Sequence, residues 1–307
     1  MPIGAHVSIA GGIWNAPERA AAIECECFQM FTRSPQGGAA PPLTDEVVEK
    51  FRAACTEHHQ QLWVVHTPYY INLASELERT RQASVRVIRE ELERASSIGA
   101  TYVMTHLGSA REVGKEQGRV LVIDGLRRIL DDYTGSAQFL IEISAGAGAV
   151  IGATFEEIAE IIREVEGSSF RPKRSGAEKS QGARRSLDSA RDDGVGKIGV
   201  CFDTQHAFGS GYDLRTPEAV AETMRQFDTT IGLARLKMSH FQDSKVALGD
   251  HKDRHEHIGR GHIGVDGLRA IAQHPAFRTI PLILETEDEG REEDVRLLKE
   301  FRGTIPS

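Results

Sequence analysis

Nine histidine, aspartate and glutamate side chains lie at or just beyond the C-terminal ends of six short apolar runs. They are His66, His106, Glu142, Asp203, His206, His240, Asp253, His255 and Glu285. Imidazole and carboxylate together suit zinc or a similar first-row ion. Each zinc ion takes about three to four protein ligands, so this set predicts two or three ions that share a bridging carboxylate. Clustered ions suit phosphoester hydrolysis, because they polarise the phosphate and lower the pKa of water.

Several of these donors follow apolar runs, where an unpaired charge would be costly to bury. Glu142, Asp203 and Glu285 end apolar runs, and a carboxylate buried there costs free energy unless a positive group pairs with it. A lone histidine at a strand end is more often a hydrogen-bonded structural residue, and we assign His6 to a supporting role. Three further histidines are left out of the ligand set: His251, His257 and His262.

A repeated strand and helix pattern positions the donors. The predicted strands span 3–8, 27–32, 62–67, 101–108, 138–144, 198–204, 233–240 and 281–287. Helix-like stretches lie between them, including 44–58, capped by Thr44, and 78–99, which ends at Gly99. Apolar strands that alternate with amphipathic helices predict a parallel sheet. Eight units predict an α/β fold, a (β/α)8 TIM barrel in one domain over 1–307, with its active site at the C-terminal face.

The alternative fold is an open, doubly wound sheet. That fold would require a glycine-rich phosphate loop after an early strand. The one candidate, SIAGG at 8–12, does not fit the spacing G-x-G-x-x-G, and the barrel is therefore favoured.

The polar stretch 168–196 interrupts the pattern before the sixth strand. It is rich in arginine and lysine and has neither helical nor strand periodicity. We interpret it as a disordered insertion, because the junction between a helix and the next strand lies on the face of a barrel away from the active site. The alternative is a basic arm that touches DNA.

The overall composition is that of an ordinary globular protein, with 40% apolar and 27% charged residues. No apolar run is long enough to cross a bilayer, and the start MPIGAHVSIAGG lacks the features of a signal peptide. We therefore expect a cytoplasmic protein without a membrane partner. The net charge of −8 alone argues against a polyanion partner, but bound divalent cations would add positive charge. The four cysteines lack CxxC spacing and are predicted to be buried thiols.

Several motifs together resemble the endonuclease IV family of apurinic/apyrimidinic endonucleases. In chain order they are GAHVSIAGG, FTRSPQ, HTPYYINLAS, THLGS, CFDTQHAFGSGYD, HFQDSKVALGDHKDRHEHIGRGHIG and ILETE. They cover essentially the whole chain except 168–196. The resemblance implies a monomeric zinc-dependent DNA-repair enzyme on a TIM barrel. Its reaction would be cleavage of double-stranded DNA 5′ to an abasic site, leaving a 3′-hydroxyl and a 5′-deoxyribose phosphate, and removal of 3′-blocking groups.

The resemblance also implies how the nine donors would share three zinc ions, with Glu142 as the catalytic bridge. One ion would take His66, His106 and Glu142. A second would take Glu142, Asp203, His240 and Glu285. The third would take His206, Asp253 and His255. DNA contacts are expected from Tyr69 and Tyr70, which resemble part of a wedge used in nucleotide flipping, and from Lys245 and Arg254.

Two loops depart from the family pattern. After Glu142 the chain reads ISAGAG, with Ala147 in place of an amide side chain, and the loop at 36–40 reads QGGAA without bulky residues. Glycine and alanine cannot wedge between bases, so we expect weaker DNA binding or a changed substrate preference beside an intact metal site.

Two other functions remain open at this point. A metal-dependent sugar or sugar-phosphate isomerase on a related barrel would need fewer metal ions and a base beside a small pocket. A non-catalytic binder of damaged DNA would keep zinc only for structure. Metal content would identify the first alternative, and a nicking assay would identify the second.

Overall fold

Eight parallel strands close into the barrel predicted from the sequence. The computed structural model describes residues 1–167 and 197–303, and the predicted insertion at 168–196 lies outside them. The barrel strands are β1 (Ile3–His6), β2 (Cys27–Met30), β3 (Leu62–His66), β4 (Tyr102–Thr105), β5 (Gln138–Glu142), β6 (Ile198–Asp203), β7 (Leu236–His240) and β10 (Leu282–Leu284). Their order around the barrel is β1-β10-β7-β6-β5-β4-β3-β2, and β1 pairs with β2 to close it.

Helices surround the barrel, and a short antiparallel hairpin follows β7. The helices are α1 (Ala16–Ala22), α2 (Asp45–Glu57), α3 (Glu78–Ile98), α4 (Lys115–Leu130), α5 (Phe155–Gly167), α6 (Thr204–Ser210), α7 (Pro217–Thr230), α8 (Gly264–Gln273) and α9 (Arg291–Gly303). The hairpin strands are β8 (Asp243–Ser244) and β9 (His255–Glu256). In the part of the chain that the structure describes, no helix has the length and apolar character needed to cross a membrane.

Local signals set the ends of the helices. The Thr44 side chain accepts a hydrogen bond from the Val47 backbone N–H, which satisfies one of the free donors at the start of α2. Gly99 follows α3 with a φ of 79°, a left-handed conformation that suits glycine at a helix C-terminus. Both helix boundaries predicted from these residues are confirmed.

The barrel interior is filled by one inward-facing side chain from most strands. These residues are Cys27, Val64, Met104, Leu140, Cys201, Met238 and Ile283. A second and larger apolar cluster lies between the strands and the helices and includes Phe28, Phe202 and Phe227. All four cysteines are free and buried, as predicted.

Several predicted strands are longer than the observed ones. The run 101–108 forms a strand only over Tyr102–Thr105, and 281–287 only over Leu282–Leu284. The start of 233–240 is a 3-10 turn before β7.

A buried ionic network holds the loop that follows β2. The Arg33 guanidinium lies 2.5 Å from a carboxylate oxygen of Glu91 on α3, and Thr32 donates to the second oxygen at 2.7 Å. Arg94, one turn further along α3, donates to Thr32 and to the backbone carbonyl of Pro41. The start and end of the loop are therefore tied to one helix.

Replacement of Glu91 by alanine would leave Arg33 buried without its nearest carboxylate. We expect Glu91→Ala to lower the free energy of unfolding by about 3–5 kcal/mol, the usual cost of breaking a buried ion pair from one side. Urea denaturation followed by circular dichroism measures it.

The matched control is Glu90→Ala, which removes a second carboxylate 2.8 Å from Arg33 whose side chain is 44% exposed. We expect this change to cost clearly less than Glu91→Ala, because solvent screens the exposed Glu90 carboxylate and Arg33 keeps its buried partner Glu91. Equal losses in the two variants would contradict the account.

Candidate metal centre

Seven of the nine predicted donors come directly from strand ends. His66, Glu142, Asp203 and His240 are the last residues of β3, β5, β6 and β7. His106 and Glu285 immediately follow β4 and β10, and His206 lies in the first turn of α6, just after β6. Because all barrel strands run in the same direction, these side chains meet at the C-terminal mouth.

The other two donors follow β8: Asp253 lies near the end of the long loop between β8 and β9, and His255 is the first residue of β9. The Asp253 carboxylate lies 3.3 Å from Nε2 of His206 and 3.2 Å from Nε2 of His255. The loop and β9 therefore bring these two donors against the donor from α6, as the resemblance implied.

Glu142 is the centre of the cluster. Its side chain is 0% exposed. One oxygen, Oε2, lies 3.4 Å from Nε2 of both His66 and His106. The other, Oε1, lies 2.8 Å from Nδ1 of His240 and 3.4 Å from Nδ1 of His206. One carboxylate thus faces imidazoles from four different segments.

Three groups of donor atoms lie close enough for one cation each. Within each group, the candidate ligand atoms lie within 4.8 Å of one another. The groups are His66, His106 and Glu142; Glu142, Asp203, His240 and Glu285; and Asp203, His206 and His255. The first two match the predicted sets, and Glu142 belongs to both. The third differs from the predicted set, because it contains Asp203 and not Asp253. Asp253 contacts both histidines of that group.

The chemistry around Glu142 fits a bound cation. Oε2 of Glu142 is buried and, among the described residues, has no hydrogen-bond partner. A buried carboxylate oxygen without a partner is costly, and a cation would remove that cost. Its separation of 3.4 Å from two imidazole nitrogens matches the distance of about 3.3–3.6 Å between ligands of a tetrahedral zinc ion.

Backbone carbonyls orient three of the imidazoles. Nδ1 of His66 donates to the carbonyl of Thr67 at 2.6 Å, and Nδ1 of His206 donates to that of Ile143 at 2.9 Å. Nδ1 of His255 lies 3.3 Å from the carbonyl of Glu285. Nδ1 of each ring is therefore the donor to its carbonyl, which leaves Nε2 facing the cluster to serve as the ligand atom when a metal ion is bound, the usual arrangement of metal-binding histidine.

The cluster shifts the pKa values of its members in opposite directions. Burial alone would raise the pKa of Glu142, but the surrounding imidazoles outweigh it and hold that pKa well below its usual range. Burial alone would lower the pKa of His206, yet Asp203, Asp253 and Glu142 raise it well above its usual value. The pKa of His66 is raised against burial by Glu142.

Two buried glutamines touch the cluster and were missed in the sequence. Gln29, on β2, contacts His6, His240 and Glu285, and Gln242 donates to Asp203 at 2.5 Å. The available signal was a polar residue inside the apolar run CFQMFT. His6 lies in the supporting position expected for it, with its ring 3.7 Å from Glu285.

Asp243 was also missed, and it anchors the loop that carries Asp253 and His255. Its buried carboxylate accepts hydrogen bonds from the backbone N–H groups of four residues. They are Ser244, Gly261, Ile263 and Gly264. Ser244 precedes the loop and the other three residues follow it, so one carboxylate holds the two ends of this segment together.

The four predicted DNA-contact residues differ in position. A pocket of about 580 Å³ opens over the cluster; Tyr69 lines it, and Tyr70 is not among its lining residues. The Tyr69 side chain is 68% exposed, and its ring packs edge-on against Phe31. Lys245 forms an ion pair with Glu287 at 2.9 Å, and Arg254 is exposed and donates to the carbonyl of Asp253.

The two loops that depart from the family pattern carry small residues. Gly37 and Gly38 have φ values of 121° and 99°, in the region that favours glycine. Their neighbour Ala39 is exposed. Gly146 packs against the ring of His251 at a φ of 77°, and the adjacent Ala147 is half-buried. At 37–39 and 146–147 the chain itself therefore offers only glycine and alanine.

The fold and the site together define a TIM barrel with candidate metal-binding groups at the C-terminal face of its strands. Comparison with known proteins gives the same fold. A family model described as a xylose isomerase-like TIM barrel matches residues 17–171 and 184–301. The probable endonuclease 4 of Haloarcula marismortui is 36% identical over 306 residues, covering 98% of this chain and 99% of that protein. The chain belongs to the endonuclease IV family.

Solved structures give the same result. Endonuclease IV from Thermus thermophilus matches with a TM-score of 0.78 and 31% identity, over 99% of this chain and 98% of that one. A D-tagatose 3-epimerase-like protein matches with a TM-score of 0.68 and 17% identity, over 99% of this chain and 98% of that one. At that identity the second match concerns the fold alone.

The raised pKa values predict that the metal-free protein loses stability as the pH rises. A histidine with a raised folded pKa stabilises the fold fully below its unfolded value of about 6.5, and this stabilisation is lost as the pH passes its folded pKa. In chelator-treated protein, His66, His206 and His255 would then stop compensating the buried carboxylates. We expect the thermal midpoint to fall on going from neutral to alkaline pH.

The control is the same pH series with saturating divalent metal, where neutral ligand histidines have no proton to lose and the curve should be flatter. A metal-free midpoint that stays constant or rises over this range would contradict the assigned electrostatics.

Proposed function

We propose that this protein is a zinc-dependent DNA-repair endonuclease that hydrolyses the phosphodiester bond 5′ to abasic sites in double-stranded DNA. The products would be a 3′-hydroxyl and a 5′-deoxyribose phosphate, and the same site would remove 3′-blocking groups. The observation that carries the proposal is the buried Glu142 carboxylate, which joins two donor groups beside a third. Membership of the endonuclease IV family supports the choice of DNA as substrate.

Three zinc ions would use the nine donors as the family resemblance implies. His66 and His106 would hold the first, Asp203, His240 and Glu285 the second, and Glu142 would bridge them. His206, Asp253 and His255 would hold the third. Ions held there would polarise the phosphate, lower the pKa of water and stabilise the leaving oxygen.

The remaining roles belong to side chains around the pocket. Tyr69 offers an exposed aromatic face at the pocket rim, suited to stacking on a base or sugar beside the lesion. Arg254 is exposed beside Asp253 and can approach a phosphate. Lys245 already pairs with Glu287, so a phosphate would have to displace that carboxylate. Tyr70 is the weaker of the two tyrosine candidates.

The sugar isomerase alternative explains less of the site. We expect an enzyme of that kind to need fewer metal ions. The third donor group, with Asp253 and His255 on a loop held closed by Asp243, would then have no function. The structural likeness to an epimerase-like protein concerns the barrel shared by both classes. A non-catalytic DNA binder would not require a carboxylate bridging two donor groups.

The direct test is incision of a duplex that carries one abasic-site analogue. We expect zinc-loaded protein to nick the strand 5′ to the lesion, and chelation to abolish the reaction until zinc is restored. Glu142→Gln should lower single-turnover incision by at least about 100-fold, because the amide supplies neither the charge nor two anionic oxygens for the bridge.

The matched control for that variant is Glu164→Gln, which alters a half-exposed carboxylate on α5. It should incise at the wild-type rate. Wild-type protein that binds zinc but leaves the duplex intact would refute the endonuclease function.

Substitutions of Tyr69 and Tyr70 test which side chains contribute to DNA binding. We expect Tyr69→Ala to weaken binding of the abasic duplex by about 1–3 kcal/mol, the usual value of one aromatic stacking contact. Tyr70→Ala should have a much smaller effect, since that residue does not line the pocket. Fluorescence anisotropy with metal-loaded protein measures both, and zinc content should be unchanged. Equal effects of the two substitutions would count against the assignment.

A further inference from the structure

His240 differs from the other oriented imidazoles of the cluster. His66, His206 and His255 turn Nδ1 to a backbone carbonyl and Nε2 to the cluster. His240 is reversed: its Nδ1 faces Glu142 at 2.8 Å and Glu285 at 3.3 Å. Its outer nitrogen, Nε2, meets a side chain, the amide oxygen of Gln29, at 2.7 Å.

The orientation of the Gln29 amide is fixed by its neighbours. Its nitrogen lies 2.6 Å from Oε1 of Glu285, and a carboxylate in this pH range only accepts hydrogen bonds. The nitrogen must therefore be on the Glu285 side and the oxygen on the His240 side. An amide oxygen only accepts, so Nε2 of His240 must carry a proton. Nδ1, 2.8 Å from the Glu142 carboxylate, would release its own proton when a metal ion binds and serve as the ligand atom.

The same amide makes a third contact. Its second N–H points to Nδ1 of His6 at 2.8 Å, which requires a lone pair on that nitrogen. Gln29 is 0% exposed and lies on β2, opposite His6 on the neighbouring strand. Its two donors and its oxygen are all used, so no water is needed to complete the arrangement.

We propose that Gln29 is a positioning residue that selects Nδ1 of His240 as a metal ligand and holds the carboxylate of Glu285 beside it. The proposal rests on the metal site assigned above to Glu142, Asp203, His240 and Glu285. Gln29 contacts two members of this donor group, His240 and Glu285, and no side chain that belongs only to one of the other two groups. We therefore expect it to affect this site alone. Its amide oxygen orients His240 as backbone carbonyls orient His66, His206 and His255.

The test compares the zinc affinities of the Gln29→Met variant and the wild-type protein. Methionine has a similar length and lacks the amide, so His240 loses its acceptor and Glu285 loses its donor. We expect one of the three zinc ions to bind about 10- to 100-fold more weakly, the usual effect of removing a partner of a metal ligand. The other two ions should keep wild-type affinity in competition with a chromophoric chelator.

Cadmium NMR gives a second readout that does not depend on activity. In cadmium-substituted protein each site gives its own resonance, and Gln29→Met should shift or broaden one resonance strongly. A second variant, Gln29→Glu, keeps an oxygen near His240 but places a carboxylate against Oε1 of Glu285. It should disturb the same resonance.

The matched control is Gln60→Met, at another buried glutamine whose amide donates only to backbone carbonyls, those of Cys25 and His58. This variant should bind all three ions as wild type does. Unchanged metal binding in both Gln29 variants would overturn the proposal. So would equal weakening of all three ions, or loss of the fold in both Gln29 variants while Gln60→Met stays folded, since either result marks a general structural residue.

The outcomes also separate this proposal from the endonuclease function. Wild-type protein that incises abasic DNA, with Gln29 variants that bind every ion normally, would reject the role of Gln29 alone. Selective weakening of one ion in protein that leaves abasic DNA intact would support Gln29 and reject the proposed reaction.

Discussion

The structure depends on the burial of one carboxylate, that of Glu142, at the mouth of the barrel. A carboxylate without exposure to water is tolerated only where positive charge surrounds it. Imidazoles from four different segments provide that environment, and they can do so because parallel strands end at the same face. In the metal-free protein, protonated imidazoles would balance the negative charge of Glu142, whereas in the metal-bound protein the cations would balance it.

Orientation of the donors requires a second layer of contacts, and the chain supplies it in two ways. Backbone carbonyls next to the strand ends orient His66 and His206, so these contacts follow from the barrel itself. The donors furthest from the strands depend on side chains instead: Asp243 closes the loop that carries His255, and Gln29 serves His240. Substitutions in this second layer would therefore affect individual sites within the cluster.

The sequence predicted the barrel, and it predicted that the nine candidate donors would meet at one face, because both leave strong local patterns. Six of the eight apolar runs ended at or near a side chain that does not belong in a core, such as His66 or Glu142, and the parallel fold placed those ends together. The roles of Gln29 and Asp243 could not be predicted in this way. Their partners lie on strands and loops distant in the chain, so the contacts exist only after folding. Strand lengths were overestimated because an apolar run does not show where ladder pairing stops; β10, for example, ends at Leu284, one residue before Glu285.

The count of tightly bound metal ions tests the central claim most directly. Full-length protein, loaded with zinc and then desalted, would be analysed for metal and protein content by mass spectrometry and amino-acid analysis. The arrangement of donors around Glu142 predicts three zinc ions per chain, falling by one when His206, Asp253 and His255 are replaced together. A content of one ion or none in the unaltered protein would contradict the account, because the buried carboxylate would then lack the cations on which the site is built.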